Sequence, residues 1–256
     1  MIIMENLSLR YPNANGSGPP VLDNVSLEIG QGEFVCLLGP SGCGKTSLLN
    51  LIAGFLRPTS GRVLFRGSPV TEPSPERSVV FQDPTLFPWL TVRGNVEFGL
   101  RCMKLSREER RLISGECIAM VGLAGYEDAY RHELSGGMRQ RAALARVLAL
   151  DPPALLMDEP FSALDANSRE RLQDELLRLW RAKRRTIIFV THSVEEAALL
   201  ADRVIIIGTP PGSVKREVPI DLPRPRPRTS SDLKETMRGL RAVLDDMPCC
   251  LPPQRK

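Results

Sequence analysis

The chain has 256 residues, of which 42% are hydrophobic and 25% charged, a composition that is ordinary for a folded globular protein. No apolar run reaches the roughly 18 residues that span a bilayer, and the first residues lack the basic start and apolar centre of a signal peptide. We therefore expect a cytoplasmic protein.

The distribution of charge indicates which partners the chain can bind, and the spacing of its cysteines indicates the state of their thiols. Residues 1–214 carry 24 basic and 24 acidic side chains, so the net charge of +4 arises in residues 215–256, with 10 basic and 6 acidic. A neutral body argues against nucleic-acid binding, which needs a basic face. The tail could contact acidic lipids, but a solvated, partly disordered end is the preferred interpretation. Six cysteines show no metal-type spacing, which predicts free thiols in a reducing compartment.

In chain order, the first predicted elements are strands. Residues 2–9 alternate apolar and polar side chains in part, and residues 24–29 alternate cleanly, with a turn-rich loop over 12–20 between them. This pattern predicts an antiparallel β layer. It leads into an apolar strand at 34–38.

A glycine-rich turn follows that strand and opens into an apolar helix. It matches the phosphate-binding motif G-x-x-x-x-G-K-[ST] with the residues Gly39, Pro40, Ser41, Gly42, Cys43, Gly44, Lys45 and Thr46. The glycines let backbone N–H groups surround phosphates, and the helix start adds a positive end. Lys45 would reach the β- and γ-phosphates, and the Thr46 hydroxyl would hold Mg²⁺. Tyr11 would stack on an adenine or, equally, complete the core at a strand end.

Two more strands are predicted at 62–66 and 78–82, and Gln82 ends the second. An amide at the carboxyl end of such a strand can reach a bound metal and its attacking water. Residues 84–133 then lose the strand pattern, since Pro84, Pro88 and Gly94 interrupt it, and an amphipathic helix starts at Ser106. A helical insertion in an α/β domain is the expected result.

A second phosphate-binding helix end is predicted at Ser135, Gly136 and Gly137. Ser135 is a natural N-cap, and the two glycines allow backbone N–H groups to approach an anion closely. One nucleotide cannot easily use two such ends unless they converge on it. We therefore expect this end to serve a nucleotide that another copy of the chain holds.

Acidic residues end the next buried strand. Asp158 would complete the Mg²⁺ site, and Glu159 would orient or deprotonate the water that attacks the γ-phosphate. A turn containing Asp165 leads into a helix over 166–183, and another buried strand ends at His192, where a γ-phosphate can be reached.

These segments, in order and spacing, resemble the A-loop, Walker A, Q-loop, signature, Walker B, D-loop and H-loop of the ATP-binding subunits of ABC transporters. The matching residues are Tyr11, residues 39–47 including Ser47, Gln82, 134–138, 155–159, 162–165 and His192. The resemblance covers about residues 1–215. It implies an α/β fold with a RecA-like P-loop NTPase core, an antiparallel β subdomain and a helical signature subdomain at approximately 84–150.

The resemblance also implies roles and partners. Glu159 would be the catalytic base and His192 the γ-phosphate sensor, assisted by Lys45; Ser47 and Asp165 would contact ATP; and Thr46, Gln82 and Asp158 would hold Mg²⁺. Two copies would dimerise on ATP, each placing its Walker A motif opposite the partner's signature. The boundaries would be an ATPase domain at 1–214 and a Pro/Arg-rich linker with a short tail at 215–256.

Within that family, the chain is similar to the nitrate, sulfonate and taurine importers at residues 49–55, 76–82, 86–89, 95–100 and 211–214. This implies a Mg²⁺-dependent ATPase at the inner face of the cell membrane that works with permease subunits and, indirectly, with a solute-binding protein. Residues 87–92 would receive a coupling helix of the permease. An exporter or an importer of another solute remains an alternative, because the motifs are shared. A soluble ABC ATPase outside transport is less favoured, because the chain has one motif set and no long heptads.

The tail gives weaker signals. Alternating proline and arginine at 223–228 favours an extended linker, and a helix is expected near residues 231–244. Cys249 and Cys250 are interpreted as spare thiols of a disordered end.

Overall fold

The computed structural model describes residues 1–12 and 18–246, so Cys249, Cys250 and part of the predicted loop at 12–20 lie outside the described residues. The chain divides into two compact units: Met1–Ser74 with Arg185–Lys256, and Pro75–Arg184.

The described strands are β1 (Ile2–Arg10), β2 (Pro20–Ile29), β3 (Phe34–Leu38), β4 (Ser60–Phe65), β5 (Ser68–Pro69), β6 (Arg77–Val80), β7 (Ala154–Asp158), β8 (Thr186–Thr191), β9 (Arg203–Ile207) and β10 (Val214–Pro219). The described α-helices are α1 (Lys45–Ala53), α2 (Val92–Leu100), α3 (Arg107–Met120), α4 (Gly136–Ala149), α5 (Ala166–Lys183), α6 (Val194–Leu200) and α7 (Ser231–Asp245).

The first unit contains the predicted antiparallel layer, with strand order β2-β1-β4-β5. In β1 the side chains of Ile2, Met4, Leu7 and Leu9 are buried while residues between them are more exposed. This alternation is what one solvated sheet face requires. The prediction of an antiparallel β layer is therefore confirmed.

A parallel group of strands in the same unit carries the phosphate loop. β3 pairs in parallel with β8 on one side and with β9 on the other, and β10 adds an antiparallel edge to β9. Every residue of β3 and β8 is buried, as their continuous apolar runs require. Because Leu38 lies opposite Thr191, the segments that follow β3 and β8 leave the sheet at the same edge.

The second unit contains the parallel pair β6 and β7 and a group of helices in which α2, α3 and α4 pack against one another. The predicted helix start at Ser106 is confirmed, because its hydroxyl accepts the Glu109 N–H at 3.1 Å while the Glu109 carboxylate accepts the Ser106 N–H at 2.6 Å. One strand prediction is too long: β6 ends at Val80, so Gln82 lies in the loop beyond the strand. Among the described residues, no helix is long and apolar enough to cross a membrane.

The C-terminal segment differs from the predicted linker. Strand β10 runs across the predicted boundary between residues 214 and 215, and helix α7, expected near 231–244, packs against α6. Between them Arg226 is only 6% exposed. Its guanidinium donates to the backbone carbonyls of Ala198, Leu199, Ala201, Ile220 and Leu222.

Arg226 therefore caps the C-terminal end of α6. The last carbonyls of a helix have no partner inside the helix, and a buried cation satisfies them while opposing the negative end of the helix dipole. Burial, and secondarily the charge of Arg224, lowers the pKa of Arg226 to about 10, so the side chain still carries its charge at neutral pH. The alternating proline and arginine pattern thus includes a buried anchor.

Replacing this anchor tests the packing. We expect Arg226→Ala to lower the free energy of unfolding by about 2 to 4 kcal/mol, because several buried carbonyls lose a charged donor. Urea denaturation followed by circular dichroism measures the change. Arg238→Ala, at an exposed position of α7, is the control and should change stability by less than about 0.5 kcal/mol. Equal effects of the two variants would contradict the anchoring role.

Candidate nucleotide-binding and catalytic site

The phosphate loop joins β3 to α1 in the first unit. Gly42 and Gly44 have φ angles of 80° and 95°, which favour glycine, and Gly44 is the N-cap of α1. No side chain in the described chain caps this helix start, so its first N–H groups are available to an anion. A Cβ built on Gly42 would meet nothing within 4 Å, which leaves that side of the loop open.

Lys45 supplies the positive charge of the loop. Its side chain is 6% exposed, and the ammonium donates to the carbonyl oxygens of Gly39 and Pro40, each at 2.8 Å. The ammonium also lies 3.7 Å from the Cys43 sulfur. Burial raises the pKa of the Cys43 thiol, although nearby Lys45 lowers it in part, so the thiol stays neutral at physiological pH.

The backbone at Ile207 and Gly212 packs closely against the phosphate loop. A Cβ on Gly39 would lie 2.4 Å from the Ile207 carbonyl oxygen, and a Cβ on Gly212 would lie 2.1 Å from the Cys43 carbonyl oxygen. Gly212 is itself fixed to β2, because its N–H donates to the Val21 oxygen at 2.8 Å and its oxygen accepts the Asp23 N–H at 3.0 Å. The sequence gives no local signal for this role of Gly212, because Gly212 and the loop are far apart in the chain.

Two other predicted residues lie in the same unit. The Tyr11 hydroxyl is 3.1 Å from the Ser47 hydroxyl, which places its half-exposed ring beside the first turn of α1. His192 is exposed and directly follows β8. The structure thus brings Tyr11 to the phosphate-loop helix and places His192 at the sheet edge from which the loop also leaves.

The second unit holds the acidic strand end. Asp158 is 4% exposed and is the last residue of β7, and Glu159 follows it with a φ angle of 44°. That left-handed conformation is uncommon for a residue with a side chain and is typical of sites where geometry is imposed by function. The Glu159 carbonyl accepts the Ser162 hydroxyl at 2.9 Å and the Ser162 N–H at 3.2 Å. These bonds hold the turn that carries the carboxylate.

The predicted signature helix end and D-loop are neighbours in this unit. The Ser135 hydroxyl accepts the Met138 N–H at 3.2 Å, which confirms Ser135 as the N-cap of α4. A Cβ on Gly137 would be 3.4 Å from the Ala163 oxygen, while a Cβ on Gly136 would meet nothing within 4 Å. Asp165 caps α5 by accepting the Ser168 N–H at 2.9 Å, and this hydrogen bond lowers the pKa of Asp165.

Gln140, which the sequence analysis did not single out, links α4 to the Q-loop. It is 1% exposed, and its amide donates to the Phe81 carbonyl at 3.2 Å, next to the exposed Gln82. In the sequence Gln140 stands between Arg139 and Arg141, so its burial has no local sequence signal. The predicted site residues therefore divide between the units: Tyr11, the phosphate loop and His192 in the first, and Gln82, the signature, Asp158, Glu159 and Asp165 in the second.

The residues present fit a nucleotide triphosphate. A lysine-bearing loop, free helix N–H groups and open glycine surfaces match a polyphosphate in charge and shape. The residues predicted to hold Mg²⁺, Thr46 in the first unit and Gln82 and Asp158 in the second, each carry an oxygen ligand of the kind that Mg²⁺ prefers. The described cysteines, Cys36, Cys43, Cys102 and Cys117, are free thiols, as predicted.

The phosphate loop between β3 and α1 is typical of nucleotide-binding domains of the P-loop class. A family model described as "ABC transporter" matches residues 22–162. Over 243 residues the chain is 50% identical to an uncharacterized ABC transporter ATP-binding protein of Methanocaldococcus jannaschii. The aligned region covers 95% of this chain and 91% of that protein. It is also 50% identical to the taurine import ATP-binding protein TauB of Yersinia pestis bv. Antiqua (strain Antiqua), covering 78% of this chain and 79% of that protein.

Solved structures agree with these sequence matches. The ATP-binding cassette MJ0796, in a dimeric post-hydrolysis state bound to ADP and Pi, superimposes with a TM-score of 0.79 at 33% identity, covering 87% of this chain and all of that one. The chain therefore belongs to the ABC transporter family and is an ATP-binding subunit of such a transporter. The α/β fold with a RecA-like P-loop core is confirmed.

The contact behind the phosphate loop generates a prediction. We expect Gly212→Ala to weaken ATP binding by about tenfold to a hundredfold, because the new Cβ displaces the Cys43 carbonyl and with it the loop. Titration with a fluorescent ATP analogue measures the affinity. Gly239→Ala, where a Cβ meets nothing within 4 Å, is the matched control and should bind as the unmodified chain does. Unchanged affinity of Gly212→Ala would show that the loop does not depend on this contact.

Proposed function

We propose that this chain is a Mg²⁺-dependent ATPase that dimerises on ATP and energises an importer for taurine or a related small sulfonate or anion. The observation that carries the ATPase part is the phosphate loop with its buried, carbonyl-held Lys45. The relationship to taurine import ATP-binding proteins, at 50% and 47% identity, supports the solute class.

The proposed chemistry is transfer of the γ-phosphoryl group to water. Lys45 and the N–H groups at the start of α1 bind the phosphate oxygens and stabilise their charge. Glu159 orients the attacking water and accepts its proton, and His192 contacts the γ-phosphate. Tyr11 stacks on the adenine. In the dimer, Ser135, Gly136 and Gly137 bind the γ-phosphate that the partner copy holds, and Asp165 contacts the nucleotide across the same interface.

Mg²⁺, when bound, neutralises the phosphate charge that develops during transfer, and Thr46, Gln82 and Asp158 would hold it. Asp158 is suited to this role because it is a buried carboxylate at a strand end. Thr46 and Gln82 are both exposed, and their oxygens are hard ligands of the kind that Mg²⁺ prefers.

The role of Glu159 is tested by Glu159→Gln. The amide keeps the size of the side chain but cannot accept a proton, so we expect turnover to fall at least about a hundredfold. ATP binding should persist, and an ATP-bound dimer should accumulate in size-exclusion chromatography. Glu116→Gln, at an exposed position of α3, is the control and should hydrolyse ATP normally. Full activity of Glu159→Gln would remove Glu159 from the role of base.

We propose that permease subunits bind to an aromatic cluster in the second unit. The ring of Phe87 lies 5.4 Å from Trp89 and 4.4 Å from Phe98, and Arg146 stacks over Phe87 at 5.7 Å. Trp89 is 68% exposed and Phe98 is 44% exposed. Exposed aromatic groups of this kind are enriched at the centres of protein interfaces.

Buried Asn95 fixes the segment that carries the cluster. Its side-chain oxygen accepts the Phe87 N–H at 2.8 Å, and its amide donates to the carbonyls of Phe87, Leu90 and Thr91. The loop is thus rigid before any partner arrives, which lowers the entropic cost of binding. This supports a docking surface for the permease at the inner face of the membrane.

Trp89→Ala tests the docking surface. We expect the recovery of permease with the tagged chain from detergent-solubilised native membranes to fall about tenfold or more, because an exposed aromatic anchor is lost. Quantitative mass spectrometry of the purified material measures the recovery. Phe55→Ala removes a comparably exposed ring in the first unit and should leave it unchanged. Normal recovery with Trp89→Ala would contradict docking through this cluster.

A further inference from the structure

The start of helix α6, directly after His192, is capped in an unusual way. Ser193 is the N-cap, and its hydroxyl accepts the Glu196 N–H at 3.3 Å. In an ordinary capping box, the glutamate three positions on would accept the N-cap N–H in return. Here the Ser193 N–H donates instead to the Thr191 hydroxyl oxygen at 3.0 Å.

Thr191 is in turn hydrogen-bonded to Glu196. Its hydroxyl donates to the Glu196 carboxylate at 2.6 Å, a short bond of the charge-assisted kind. The resulting chain runs from the Ser193 N–H through the Thr191 hydroxyl to Glu196, and the Ser193 hydroxyl closes it back to the Glu196 backbone. His192 lies between Thr191 and Ser193, the two residues that the bond from the Ser193 N–H joins.

Burial makes the ring rigid. Thr191 is 2% exposed and Glu196 is 8% exposed, so water competes little for these hydrogen bonds. Thr191 is also held by its strand, because it lies opposite Leu38, the residue before the phosphate loop. The bond from the Ser193 N–H to the Thr191 side chain forms a turn with His192 at its centre, and this fixes the direction in which the His192 Cα–Cβ bond leaves the backbone.

We propose that Thr191 and Glu196 are positioning residues that set the orientation of His192 at the carboxyl edge of the sheet. Thr191 fixes the turn, and Glu196 fixes the rotamer of Thr191 by accepting the hydrogen bond from its hydroxyl. The consequence for hydrolysis rests on the proposed function, in which His192 contacts the γ-phosphate. A displacement of about 1 Å at such a group lowers turnover up to about a hundredfold.

Thr191→Val is the most direct test, because valine keeps the shape of threonine and removes both hydroxyl bonds. The chain has only two histidines, and His132 lies in the second unit, so the imidazole resonances of isotope-labelled histidine report on His192 with His132 as an internal reference. We expect Thr191→Val to shift or broaden the His192 resonance and to reduce its response to the non-hydrolysable analogue adenylyl imidodiphosphate. Turnover should fall about tenfold to a hundredfold with the KM for ATP changed less than about twofold.

Two variants serve as controls. Thr191→Ser retains the hydroxyl and should restore both the resonance and the turnover. Thr186→Val removes a buried hydroxyl from the other end of the same strand, where it accepts the Gly32 N–H at 3.0 Å, and should leave the His192 resonance in place. If Thr191→Val does not fold, Glu196→Ala replaces it in the test, with Glu195→Ala, an exposed neighbour on α6, as its control. We then expect Glu196→Ala to shift or broaden the His192 resonance and Glu195→Ala to leave it unchanged.

An unchanged His192 resonance in Thr191→Val, or an equal change in Thr186→Val, would overturn the proposal. Failure of the proposed function would look different: His192→Ala would then hydrolyse ATP at the unmodified rate, while the resonance of His192 would still respond to Thr191→Val. The spectroscopic result therefore decides the positioning role independently of the catalytic one.

Discussion

The position of the phosphate loop depends on two close contacts between backbones. Gly39 lies against the Ile207 carbonyl, and Gly212 lies against the Cys43 carbonyl, at separations that leave no room for a side chain. Through these contacts the end of β9 and the turn after it set the position of the phosphate loop. Buried Lys45 donates to the Gly39 and Pro40 carbonyls of this loop, which the two contacts hold in place.

The same principle, a backbone fixed by distant residues, recurs through the first unit. The arginines of the C-terminal segment satisfy the last carbonyls of α6, and the Asp202 carboxylate that pairs with Arg224 also accepts the Phe34 N–H at 2.9 Å, at the start of β3. Helix α6 is thus held at its end by Arg226 and at its start by Thr191 and Glu196. His192 directly precedes the N-cap of this helix and is exposed, whereas Thr191 and Glu196 on either side of it are buried.

Local chemistry explains how much of this was predictable from the sequence. The phosphate loop, the N-cap Ser135, the acidic end of β7 and the helix Ala166–Lys183 each depend on neighbouring residues, and each was located from a short motif or a periodic pattern. The roles of Gly212 and Gln140 are not evident from sequence, because their partners lie far away in the chain. Arg226 is not evident either, because its local sequence pattern favours a solvated linker. Alternating proline and arginine is typical of a solvated linker, yet here Arg226 reaches carbonyls of a helix 25 to 28 residues earlier. The end of β6 was placed too late because the apolar run continues past the last paired residue.

We propose that ATP hydrolysis by this chain drives uptake of a taurine-like solute. The most direct measurement is uptake of radiolabelled taurine into proteoliposomes that contain the purified transporter, with its solute-binding protein supplied outside and ATP enclosed inside. We expect accumulation that requires enclosed ATP and disappears when the subunit carries Glu159→Gln. Uptake that proceeds equally without ATP, or ATP-driven movement of taurine out of the vesicles, would contradict it.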